Sequence, residues 1–205
     1  STLFNALTKN SVPMENYPFC TIDPTVGVVA VPDGRLETLS KISGSAKILP
    51  AIVEFVDIAG LVKGASAGEG LGNKFLANIR ETDMIAEVVR IFEDSDIHHV
   101  SGGNDTLGDI EVINLELIMA GGETVAKRLN NRERDVKRGD KTALIEKAAL
   151  EKLLPHLEAG QLAKSLELTE EEKKIVKGLH LLTIKPFLYI CNKKQDAFNL
   201  DEQND

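Results

Sequence analysis

The sequence predicts an α/β fold with a mostly parallel sheet, interrupted by an α-helical, coiled-coil-like insertion. Three observations carry this. Through residues 1–106, short β-branched runs alternate with stretches of helical period. Residues 107–185 then form a block of dense, balanced charge, with 14 basic and 14 acidic side chains. A last apolar run, Phe187–Cys191, returns to strand character. One sheet-containing domain is therefore expected from residues 1–106 and 186–205, with 107–185 as a helical insertion.

The elements follow in order. Leu3, Phe4 and Leu7 stand at helical spacing. Thr25–Val31, Ala51–Asp57 and Met84–Phe92 read as strands, and Arg35–Ile42 and Leu71–Thr82 as the helices between them. In the insertion, Ile110, Ile113, Leu117, Val125 and Leu129 predict a helix over Asp109–Arg138. Gly139-Asp140 is a turn signal. Leu144, Ala148 and Leu153 predict a second helix over Lys141–Leu154, so the two should form an antiparallel hairpin. Thr169 and Glu172 match a capping box opening a third helix that runs towards Leu182. Lys185-Pro186 breaks the helical pattern before the final strand.

Composition narrows the function. The net charge of −8 opposes broad binding to nucleic acid or anionic membrane, and no direct DNA partner is expected. A local basic patch, such as Lys127–Arg138, remains compatible with RNA, although a solvated helix face explains it as well. No apolar run reaches membrane-spanning length, and no signal peptide is evident. Two cysteines, Cys20 and Cys191, do not make a disulfide framework, which favours a reducing, cytoplasmic setting. The chain opens at Ser1 within helical sequence and stops at Asp205 without a cap, so both ends read as cut.

Three fragments carry chemistry. The first is Glu54–Gly60, an apolar strand that delivers Asp57 at its carboxyl end, followed three residues later by Gly60. Ligands of open α/β sheets bind at such ends. An aspartate there can hold Mg²⁺ through water, and the Gly60 N–H can meet a terminal phosphate. An ordinary strand-to-loop turn gives the same pattern. Five glycines between Gly60 and Gly72 then suggest a switch segment, or a plain linker. The second fragment is Ser1-Thr2 at a helix start, which suits an anion and equally a simple cap. The third is Asn192-Lys193-Lys194-Gln195 after the last strand. A guanine reader of the Asn-Lys-x-Asp type needs an acid at the fourth position, and the neutral amide of Gln195, with one acceptor oxygen and a donor NH2, is not the same two-fold acceptor. Thr21, in Asn16–Pro24, offers a hydroxyl for Mg²⁺ or serves as a turn residue.

In this order the fragments identify a resemblance. Asn16–Pro24 (NYPFCTIDP), Glu54–Glu81, Asp109–Glu116 (DIEVINLE) and Leu181–Ile190 resemble the Obg-like ATPase (YchF) subfamily of translation-factor-related P-loop NTPases. The resemblance covers essentially the whole chain. It implies a G domain interrupted by the helical insertion, a Gly-rich phosphate loop ending in Gly-Lys just before Ser1, and a C-terminal TGS domain that this chain lacks. It implies Mg²⁺ as cofactor, with Ser1, Thr21 and Asp57 at the metal positions. Ser1, Thr2, Asn192, Lys193 and Gln195 fall at nucleotide-binding positions, and Gly60 in the phosphate-sensing motif. Leu61 replaces the glutamine of related GTPases, so another group must orient water; His99 matches the histidine proposed for that role. Without the acid at position 195, ATP is the expected nucleotide, with GTP possible. The resemblance also implies ribosome association. The competing expectations are a nucleotide-incompetent interaction module acting through its hairpin and a GTP-specific switch. Without Gly-Lys, the chain as it stands should bind ATP weakly.

Overall fold

A computed structural model describes residues 2–9, 24–58, 71–92 and 105–193. The chain divides into two compact units, Ser1–Gly60 and Leu61–Asp205.

The first unit contains helices α1 (Thr2–Thr8) and α2 (Arg35–Ser43) and strands β1 (Thr25–Ala30) and β2 (Ile52–Asp57). The β1 and β2 strands pair antiparallel, with Thr25 opposite Asp57 and Ala30 opposite Ile52. The period-2 pattern places Val26 and Val28 on an exposed face. Gly27 lies on the other face, under α1. A Cβ at Gly27 would collide with the Thr8 side chain, so glycine lets the helix approach the strand backbone. Phe4 fills the remaining space and is buried.

In the second unit, α3 (Leu71–Arg80) is followed by β3 (Ile85–Arg90) and then by α4 (Thr106–Lys137), α5 (Lys141–Glu158) and α6 (Glu170–Lys177). Short 3-10 turns at Ala163–Ser165 and Leu182–Ile184 lead to β4 (Phe187–Asn192), which pairs parallel with β3. The α/β class of the sequence reading stands. The parallel arrangement is seen at β3–β4, whereas β1–β2 run antiparallel. Side-chain alternation specifies which face is buried but not which way a neighbour runs.

The helical hairpin is built by its caps and its apolar seam. Asp105 accepts from Gly108 N at 3.0 Å to cap α4, and Asp140 accepts from Ala143 N at 2.8 Å to cap α5. Between the helices, Gly139 at φ +77° makes the turn that a side chain would strain. Ile118, Val125, Ala149, Leu150, Leu153, Leu157, Val176 and Leu181 form one core. Each large apolar side chain there contributes about 1.5–3 kcal/mol by leaving water.

Three sequence expectations need correction here. The buried face of α5 is Ala143, Glu146, Ala149, Leu150 and Leu153; Leu144 and Ala148 face solvent. Expecting charge outside misassigned the phase, because Glu146 is buried between Arg128 (2.5 Å) and Arg132 (2.8 Å) of α4. The α5 helix continues through Pro155 to Glu158, since the buried Leu157 anchors its last turn. The α6 helix has the expected capping box but stops at Lys177; Gly178 and His180, at φ +50°, turn the chain into the 3-10 segment.

Candidate nucleotide site

In the first unit, Asp57 is the last residue of β2 and is half-buried, held opposite Thr25 by the antiparallel register. The α1 helix, which begins at Thr2, packs on both strands of this pair. Asp57 is a hard oxygen donor at a strand's carboxyl end, which suits Mg²⁺. That ion is commonly held by one or two protein oxygens, with substrate phosphates and water completing the shell. Among the described residues no cluster of three or more His, Cys, Asp or Glu forms a self-contained metal cage.

In the second unit, the parallel pairing brings two carboxyl ends to one edge. Arg90 lies opposite Asn192, and Ile91 N donates to Asn192 O at 3.0 Å. Asn192 and the following Lys193 are exposed there. Thr106 Oγ1 donates to Arg90 O at 2.9 Å, so the first residue of α4 is tied to the end of β3. The Arg90 guanidinium lies 5.0 Å over the Phe92 ring, and its Nε donates to Phe92 O at 2.9 Å. Phe92 and Thr106, which bracket the segment containing His99, are thereby both fastened to the strand edge that presents Asn192.

Of the sequence-derived site residues, Thr2 and Asp57 belong to the first unit and Asn192 and Lys193 to the second. Ser1, Thr21, Gly60, His99 and Gln195 lie outside the described residues, as does most of the Gly60–Gly72 run.

Two polar residues of the second unit escaped sequence reasoning. Both carboxylate oxygens of Glu87 are buried, with no hydrogen-bond partner among the described residues. Burial, reinforced by the charge of Asp109, pushes its pKa up to about 7. Its inward position between Ile85 and Val89 was the available signal. Lys185, read only as part of a helix break, is buried, and its ammonium donates to Arg80 O at 2.8 Å and to Thr82 O. It satisfies carbonyls at the end of α3 and ties that end to the chain entering β4. Burial lowers its pKa.

Comparison with known proteins places the chain in a family. The family described as 50S ribosome-binding GTPase matches residues 1–120. The ribosome-binding ATPase YchF of Bacillus subtilis is 54% identical, over 96% of this chain and 54% of its own length. The protein of the same name from Escherichia coli O157:H7 is 52% identical, over 97% of this chain and 54% of its own. The solved structure of the Schizosaccharomyces pombe YchF GTPase superimposes with a TM-score of 0.75 at 38% identity, covering 100% of this chain and 56% of that one. The chain thus spans about half the length of the curated relatives it matches. A GTPase family matched over residues 1–120, and YchF relatives matched across nearly the whole chain, give one conclusion: this chain belongs to the YchF subfamily of P-loop NTPases.

Proposed function

We propose that this chain is the nucleotide-binding and helical part of a Mg²⁺-dependent nucleoside-triphosphate hydrolase that prefers ATP, accepts GTP less well and works at the ribosome in the cytoplasm. The observation that carries the reading is the delivery of Asp57 and Asn192 at strand carboxyl ends, where α/β nucleotide sites are built. Residues 1–106 and 186–205 form the G domain and 107–185 the helical insertion. Consistent with that division, the hairpin core draws only on residues between Ile118 and Ile184. The ribosome enters through the printed names of the relatives, which are ribosome-binding ATPases.

In this reading Ser1, Thr21 and Asp57 hold the metal, which neutralises phosphate charge when bound. Ser1 and Thr2 meet the phosphates from a helix start, and the Gly60 N–H faces the terminal phosphate. Leu61 has no hydrogen-bonding side-chain atom, so His99 orients the attacking water. Asn192, Lys193 and Gln195 meet the base. Guanine N1–H and its exocyclic amine both need an acceptor, and Gln195 offers one amide oxygen where a carboxylate offers two. Unpaired donors on a bound guanine cost about 1–3 kcal/mol, which sets the preference for ATP. Titrating the native protein with ATP and GTP in one series tests this. Tighter ATP binding is expected; a strong GTP preference refutes the base assignment.

A further inference from the structure

We propose that Arg90 is a positioning residue for nucleotide binding: without touching the nucleotide, it holds closed the last rung of the β3–β4 ladder and so fixes Asn192 where a base is met. This rests on the reading of Asn192 as a base-binding residue and adds the group that keeps it in place. The rung is the hydrogen bond from Ile91 N to Asn192 O at 3.0 Å, one step beyond the Arg90–Asn192 register pair. Hydrogen bonds at strand ends open more readily than those within a ladder. Asn192 ends β4 and is exposed, so burial of its own side chain does not secure it.

Arg90 secures the rung from both sides. Its side chain follows the chain leaving β3: Nε donates to Phe92 O at 2.9 Å, and the guanidinium lies 5.0 Å over the Phe92 ring. These contacts join residues 90 and 92 and therefore bracket Ile91, whose N–H makes the rung. The Arg90 carbonyl accepts from Thr106 Oγ1 at 2.9 Å, which ties the same residue to the first turn of α4. That turn is itself capped, with Gly108 N donating to Asp105 at 3.0 Å. A solvated arginine at a strand end would leave its guanidinium in water. Arg90 is instead half-buried and bonded to main chain. The residue type matters, because only a guanidinium can donate through Nε and lay its flat face on a ring together. Lysine has a point charge at the chain end and no donor at the Nε position.

Calorimetric titration of the native protein with Mg²⁺ present tests this, using ATP and inorganic tripolyphosphate, which carries phosphates without a base. Arg90→Ala should weaken ATP binding about 3–10-fold, the loss of one net hydrogen bond, and leave tripolyphosphate affinity within about twofold of wild type. Thr106→Val keeps the β-branched shape without the hydroxyl and should show the same selective loss. Arg90→Lys keeps the charge and should bind ATP as weakly as Arg90→Ala. Full recovery with lysine assigns the effect to charge and overturns the proposal. Equal losses for ATP and tripolyphosphate place Arg90 at the phosphates or in general stability, and overturn it too. So does unchanged ATP affinity in Arg90→Ala. If that variant does not fold, Arg90→Lys and Thr106→Val carry the comparison. Asn192→Ala separates this inference from the base reading. If Asn192→Ala binds ATP as wild type does, the base assignment fails and the positioning role with it. If Asn192→Ala weakens ATP binding and the Arg90 variants do not, the positioning role alone fails.

Discussion

Replacing Glu87 by glutamine should stabilise the protein at pH 8 and abolish a pH dependence that the wild-type chain shows between about pH 4.5 and 7. Both Glu87 oxygens are buried without a hydrogen-bond partner among the described residues, and Asp109 adds a like charge. Its folded pKa is therefore about 7, against 4.5 for an ordinary glutamate. For a carboxyl raised in this way, the native state keeps its proton longer than the unfolded state. Stability is fullest below about pH 4.5, falls as pH rises towards 7, and is flat above that. At about 1.36 kcal/mol per unit, the full shift corresponds to about 3 kcal/mol. The residue is only half-buried, so solvent screening reduces the expected effect to about 1–2 kcal/mol. Glutamine keeps the shape and removes the charge. Urea unfolding followed by circular dichroism at pH 5, 6, 7 and 8 measures the outcome. The stability of Glu87→Gln minus that of wild type should grow by about 1–2 kcal/mol from pH 5 to pH 8. A difference that stays constant across this range refutes the reasoning, because titrations elsewhere in the molecule cancel in the subtraction.

Glu146→Ala leaves two guanidinium groups facing an apolar seam. It should cost about 1–2 kcal/mol in urea unfolding, below the range for fully buried pairs because Arg128 and Arg132 are partly exposed; a neutral result would show the clasp to be superficial. His99→Ala in the native protein should slow single-turnover hydrolysis by about 10²–10⁴-fold and leave nucleotide affinity unchanged; unaltered hydrolysis would remove His99 from the reaction.

Where a feature depends on neighbours in sequence, the sequence displayed it. The capping box at Thr169 and Glu172 appears with both reciprocal hydrogen bonds, Thr169 N donating to Glu172 Oε2 at 2.9 Å and Glu172 N to Thr169 Oγ1 at 3.3 Å. The Gly139-Asp140 turn and the two strands ending at Asp57 and near Asn192 were equally readable. Features that depend on distant partners were not. Glu146 looks like a surface residue until Arg128 and Arg132 are brought across the hairpin. Lys185 bonds to carbonyls more than 100 residues away in sequence. The antiparallel sense of β1 and β2 leaves no trace in side-chain alternation. For the site, residue chemistry and order marked the strand ends, while convergence of Arg90, Asn192 and Thr106 on one edge became visible only in the fold.

The central claim, an ATP-preferring hydrolase in which Gln195 stands where a guanine reader needs an acid, is tested most directly by kcat/KM for ATP and for GTP on one preparation of the native protein. At least a tenfold advantage for ATP is expected, about 1.4 kcal/mol of discrimination, and Gln195→Asp should narrow it towards GTP. A tenfold or greater advantage for GTP in the unaltered protein would contradict it.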